Sequence, residues 1–285
     1  MEKLAYTFKT DILFKMLFVK YPKLLKRLVA ELLIIEHKSI TQFVITNPEI
    51  PPDNLGDKFC RLDINMLVDG QKVDLEIQVN NEGDYPDRSL YYWAREFSTG
   101  LSEGDKYSEL PRTIIISIVA FKLFDCEEYH SEFAPLEVER HTPLTDKMSL
   151  HYYELPKLPD SISADNNREL WLKLFKAETE DELANIEALG VPIMSEAVTA
   201  YRRVVTSSEL REIERLRHRA HHDEMSALGN ARRQEREIWQ GVVAEKDAKL
   251  EEKDAKLEEK DTALAEKDAK IAKLEAMLRS QNGET

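Results

Sequence analysis

Residues 59–79 constrain the fold more tightly than any other part of the chain. Two alternating runs flank Asp69-Gly70, a dipeptide favoured in two-residue type I′ turns because both central residues must take positive φ. A turn this short fixes the register. With Val68 opposite Gln71, Asn65 faces Asp74, Asp63 faces Glu76 and Arg61 faces Gln78. Leu62, Ile64, Met66 and Val68 then share the opposite face with Val73, Leu75, Ile77 and Val79, so one side of the hairpin is apolar and the other polar and acidic.

The Asp63/Glu76 pair falls at a non-hydrogen-bonded position, where facing Cα atoms approach to about 4.5 Å. Like charges placed there destabilise a sheet. A hard divalent cation turns that repulsion into coordination, since Mg²⁺ is held by one or two carboxylates with water and phosphate completing its shell. The competing reading is a solvent-facing strand whose acids keep the sheet soluble. Asp74, on the same face, either serves a second ion or faces solvent, and solvent is the expectation.

Around the hairpin, helix and strand signals alternate. Asp11–Val19, Leu24–Ile35 and Ser89–Leu101 carry helical periodicity; Gln42–Thr46, Phe59–Val68, Lys72–Val79 and the β-branched Thr113–Phe121 read as strands. Ser149–Leu155 is expected as an edge strand, and Pro156 and Pro159 mark a boundary. The pattern predicts an α/β domain over residues 1–160, a helical accessory region over 161–240 and a low-complexity helix over 241–285. In that last segment Glu245-Lys-Asp-Ala-Lys-Leu-Glu251 recurs from Glu252 and, with substitutions, from Glu259 and Glu266, and Leu250, Leu257, Leu264, Ile271 and Leu278 form a heptad stripe. With these at d, Asp247, Asp254, Asp261 and Asp268 occupy a, a poor seam that leaves a weak or partner-dependent coiled coil, a homo-oligomer included, a solvated single helix and disorder all open.

Asp63 followed by Glu76-Ile77-Gln78 resembles the PD-(D/E)XK nuclease signature with Gln in place of Lys. Thr10-Asp11-Ile12-Leu13-Phe14-Lys15, Arg88-Ser89-Leu90-Tyr91-Tyr92 and Gly104-Asp105-Lys106-Tyr107 narrow the resemblance to the recombination-promoting nuclease (Rpn) family, PD-(D/E)XK nuclease family transposases, over roughly residues 4–160. The resemblance implies a restriction-endonuclease-like α/β core, with a mixed central sheet flanked by helices, and Mg²⁺- or Mn²⁺-dependent hydrolysis of DNA phosphodiesters in recombination or mobile-element processes. It implies metal ligation by Asp63, Glu76 and the Ile77 carbonyl, with Gln78 where a Lys would orient water. Asp11 matches an acid on the first helix, either a further site carboxylate or a helix N-cap. Lys15, Arg88 and Arg95 are candidates for phosphate contact, Arg88, Tyr92 and Arg95 lying on one helical stripe.

Charge limits how such a protein meets DNA. The net charge is -14, and residues 1–160 hold 19 Lys and Arg against 27 Asp and Glu, so binding requires a focused basic patch. Tyr201–Arg236 is the most basic stretch, with nine Arg against six acids, but their helical interleaving reads as an ion-paired solvated face. His218 and His222 have metal-capable spacing without an accompanying acid motif. Two distant cysteines, Cys60 and Cys126, and the lack of a long apolar run point to a cytoplasmic protein with no membrane span. The rival to the nuclease is a non-catalytic interaction protein that recruits a partner through its C-terminal helix.

Overall fold

The computed structural model describes residues 3–47, 63–101, 104–161 and 163–281. In chain order the elements are α1 (Asp11–Lys20), α2 (Pro22–Leu32), β1 (Phe43–Ile45), β2 (Ile64–Val68), β3 (Gln71–Gln78), α3 (Tyr85–Ser98), β4 (Thr113–Val119), β5 (His130–Phe133) and β6 (Met148–Glu154). Four helices follow: α4 (Asn167–Lys176), α5 (Glu180–Ala188), α6 (Pro192–Val205) and α7 (Ser208–Gln281). The six strands form one mixed sheet in the order β1-β2-β3-β4-β6-β5.

The hairpin has the register its turn dictates. Val68 pairs with Gln71, Asn65 with Asp74 and Ile64 with Leu75, and the turn residues Asp69 and Gly70 have φ of 48° and 79°. Asp69 Oδ1 accepts hydrogen bonds from the backbone N–H groups of Gln42 and Thr41 and from the Thr41 hydroxyl, which pin the turn to the approach of β1 and hold the Asp69 carboxyl below its usual pKa. The predicted strand over Phe59–Val68 is seen from Ile64; residues 59–62, Arg61 among them, lie outside the described residues.

β3, β4 and β6 run parallel, so β3 reaches β4 through a crossover that carries α3 onto one face of the sheet. Covered on both faces, β4 is buried along its whole length, which is why it reads as the unbroken apolar run Thr-Ile-Ile-Ile-Ser-Ile-Val. The expected edge strand is corrected: β6 lies inside the sheet between β4 and β5, and five of its first six residues are buried. β5, the strand at that edge, is His-Ser-Glu-Phe, too short and polar to show a strand pattern.

One face of the sheet packs on the main core, where Ile64, Met66, Val73, Leu75, Ile114 and Ile116 meet Leu13, Leu17 and Phe18 of α1 and Leu25 and Leu28 of α2. That core crosses residue 160 without interruption, taking in Trp171 and Phe175 of α4, Ala197 and Val198 of α6 and Leu210. The other face holds a smaller cluster in which Tyr85 of α3 packs with Ile115, Val119, Leu150 and Tyr152.

The chain forms two compact units, residues 1–220 and 221–285. In the second, Leu250, Leu257, Leu264, Ile271 and Leu278 are each more than half exposed, and Glu245–Lys249 and Glu252–Lys256 form ion pairs at 2.5 Å. In the first, Arg202 pairs with Glu187 of α5 at 2.9 Å, and Arg215 with Glu212, inside the arginine-rich stretch, at 2.7 Å. The side chains of His218 and His221 lie outside the described residues.

Candidate functional site

Asp63 stands one residue before β2, and its main chain is held from two directions. Lys15 Nζ donates to the Asp63 carbonyl at 2.8 Å and Asn47 Nδ2 at 3.2 Å, while Asn47 Oδ1 accepts the Asn65 N–H at 2.8 Å. The Asn65 carbonyl also accepts from Thr46 N–H at 2.8 Å, so the main chain of Asn65 faces β1. Asn65/Asp74 is therefore a non-hydrogen-bonded pair, and Asp63 opposite Glu76 continues the same alternation. Lys15, expected as a phosphate contact, is instead 2% exposed and faces the protein interior at Asp63.

The polar face of the hairpin is covered, not solvated. Asp74 is 7% and Glu76 4% exposed, both on the face over which α3 lies. The expectation that Asp74 faces solvent is corrected, because the β3–α3–β4 crossover closes that side. Burial, and after it the carboxyl groups of Asp63, Glu76 and Glu96, push the Asp74 pKa well above the usual carboxylate range. Asp74 Oδ1 and Asn65 Oδ1 are buried acceptors with no hydrogen-bond partner among the described residues, and both residues line a cavity of about 270 Å³ together with Lys72, Glu96 and Thr113.

Glu76 is oriented by a tyrosine. The Tyr85 hydroxyl donates to Glu76 Oε2 at 2.7 Å and lies 2.9 Å from the Ser117 hydroxyl, Ser117 being the β4 residue in register with Glu76. Tyr85 is fully buried, which with the nearby Glu76 raises its pKa well above 10 and keeps the phenol protonated as a donor. Gln78 Nε2 donates to the Asn80 carbonyl at 2.8 Å, so the side-chain amide is anchored through its nitrogen and its oxygen is left as an acceptor. The Ala120 N–H bonds the Gln78 carbonyl at 2.9 Å. The Gln78 main chain thus faces β4, and the Ile77 carbonyl, one residue back, faces the β2 side beyond the last described ladder pair.

The remaining sequence-derived residues divide. Thr10 occupies the N-cap, so Asp11 is the exposed first residue of α1, one turn ahead of Lys15 on the same helical side. Arg88, on α3, has its guanidinium 5.1 Å from the Tyr85 ring centre and pairs with Glu82 at 2.5 Å, while its Nε and Nη2 are buried without hydrogen-bond partners. Arg95 is exposed near the far end of α3. Tyr85, Ser117 and Asn47 escaped the sequence reading: their contacts with Glu76 and the start of β2 are made by residues distant in sequence, and none has a local signature.

A family model described as PD-(D/E)XK nuclease family transposase matches residues 8–231, a span that includes the hairpin, α3, the parallel strands and α4–α6. The chain belongs to this family. No curated protein and no solved structure matches it. As a member of the PD-(D/E)XK nuclease family transposases it has a nuclease- or transposase-type function with DNA as the substrate class, and PD-(D/E)XK nucleases generally use divalent metals. The residues present fit such an ion. Asp63, Asp74 and Glu76 supply hard oxygen donors, and one buried Asp74 oxygen has no hydrogen-bond partner among the described residues. Among the described residues no three His, Cys, Asp or Glu side chains converge to hold an ion. Among the described residues no helix is long and apolar enough to cross a membrane.

Proposed function

We propose that this chain is a cytoplasmic, Mg²⁺- or Mn²⁺-dependent endonuclease of the recombination-promoting kind, hydrolysing DNA phosphodiesters in recombination or mobile-element processes. The observation that carries this reading is the buried Asp74 carboxyl, crowded by Asp63 and Glu76 and retaining an unpartnered oxygen under α3. Burying mutually repelling acids costs stability, and a cation is the partner that offsets the cost. Asp63, Glu76 and the Ile77 carbonyl would hold the ion, with the Asp74 carboxyl beside them. When bound, it polarises a phosphoryl oxygen and lowers the pKa of water.

The protein's own groups prepare the rest. Lys15 and Asn47 fix the backbone from which Asp63 projects, and Tyr85 holds Glu76 in one rotamer. Gln78 offers its amide oxygen to the attacking water, orienting it for in-line displacement. An amide dipole stabilises the developing charge less than a lysine does, so cleavage is slow. Arg88 has two nitrogens, Nε and Nη2, without a hydrogen-bond partner among the described residues beside Tyr85, suited to a phosphate oxygen. Arg95 and Asp11 act from the periphery, Asp11 as a water-organising carboxylate.

The test is supercoiled plasmid at low salt with Mg²⁺, Mn²⁺ or EDTA, for wild type and for Asp63→Ala and Glu76→Ala. Metal-dependent nicking lost in both folded variants is expected. A second reading, recruitment of a partner or another copy through α7, draws on the exposed leucine stripe. It gains if no DNA is cut and divalent metal leaves the melting temperature unchanged, because an ion bound only by the folded state raises stability.

A further inference from the structure

Residues 20–38 carry five Lys and Arg against two Glu in a chain of net charge -14. Their placement concentrates that excess. One hollow of about 610 Å³ lies between the start of α2 and α6, edged by Lys20, Lys23 and Arg203; a second, also about 610 Å³, is edged by Lys23, Lys26, Arg27 and His37. They share Lys23, Pro192 and Glu196, so they form one groove running between the two helices. Its floor is apolar, with Leu24 and Ala200 buried beneath it, while Lys23, Arg27 and Arg203 are exposed. Among the described residues Glu196 is the one acid lining it, and Glu209 engages Lys20 at 3.1 Å from outside.

His37 reports the field. Burial and then the charges of Arg27 and Lys38, with a smaller contribution from Lys26, hold its pKa below the ordinary value against the opposing effect of Glu36. From Ile193 to Arg203 the groove follows ten residue steps of α6, about 15 Å at 1.5 Å per residue. Measured along the duplex axis, that length corresponds to about four phosphates of one strand, at one charge per 3.4 Å of axial rise. We propose that the groove between α2 and α6 is a docking surface for the phosphodiester backbone of duplex DNA, separate from the carboxylate site and supplying the focused basic patch that the acidic chain otherwise lacks. The proposal rests on the DNA reading above and adds where the duplex is held.

The experiment measures binding of the full-length protein to a labelled duplex in EDTA across a salt series, so that no cleavage intervenes, followed by plasmid nicking with Mg²⁺. The triple variant Lys23→Gln/Arg27→Gln/Arg203→Gln changes only exposed side chains. It is expected to bind at least tenfold more weakly, and to lower the slope of log affinity against log salt by up to about 2.7, at about 0.9 for each phosphate left without its cation. Glu196→Gln is expected to bind more tightly than wild type, a gain of the opposite sign that loss of folding does not produce. Nicking by the triple variant should recover at high protein concentration, as a binding defect requires.

If the triple variant binds and nicks like wild type, or Glu196→Gln weakens binding, the groove proposal is overturned while the nuclease reading stands. Wild type that binds through the groove yet never nicks leaves the groove intact and removes the catalytic reading. Wild type that neither binds nor nicks overturns both.

Discussion

Replacing Asp74 with Asn keeps the shape of a buried side chain and removes its charge, and the structure fixes how the effect depends on pH. Asp74 is 7% exposed, and burial together with Asp63, Glu76 and Glu96 raises its folded-state pKa well above the unfolded 3.8. An acid so raised takes up a proton on folding. The stability it contributes is fully present below the unfolded pKa and is lost as pH rises toward the folded one. Asp74→Asn lacks this loss. In EDTA the variant should therefore gain on wild type by about 1.4 kcal/mol for each pH unit above pH ~4, levelling off once the folded pKa is passed. Wild type alone is a poor witness, because His151, driven down to about 4 chiefly by burial, tilts the same window the other way. The difference between two proteins that share His151 isolates Asp74. Urea unfolding at pH 4, 5, 6 and 7 measures it, with stability taken from midpoint and slope. Parallel pH profiles for the two proteins would refute the buried, acid-crowded Asp74 on which the metal reading depends. With Mg²⁺ added at about a hundred times its Kd, wild type should gain about 2.7 kcal/mol, and Asp74→Asn should gain much less.

Tyr85→Phe removes the hydroxyl bonded to Glu76 and Ser117 inside a dry cluster, and should cost about 1.5–3 kcal/mol in urea unfolding while slowing nicking; an unchanged midpoint contradicts the orienting role. Because His151 stays neutral when folded, wild type should lose up to about 1.4 kcal/mol per pH unit relative to His151→Gln as pH falls from 6.5 toward 4, read as the difference between the two urea-unfolding profiles. Removing residues 241–285 deletes the leucine stripe; light scattering should show a smaller assembly with nicking retained, and an unchanged mass would count against oligomerisation through the tail.

What the sequence determined by itself is local and periodic. Asp69-Gly70 admits one tight turn, the turn admits one register, and the register puts Asp63, Asp74 and Glu76 on one face and the apolar set on the other. The continuous apolar run of β4 and the heptads of α7 are legible for the same reason: neighbours along the chain carry the whole signal. Tertiary structure decided what that face meets. A polar strand face reads as solvated until a crossover helix closes it, so the burial of Asp74, the Tyr85 donor and the inward turn of Lys15 toward Asp63 had no local mark. The interior place of β6 depended on β5, whose four residues become a strand only by pairing with it. The basic groove likewise needs α2 and α6, some 170 residues apart, brought side by side. Spacing along the chain records which residues share a face, while the long-range packing of helices on the sheet settles which of those faces is dry, charged or open.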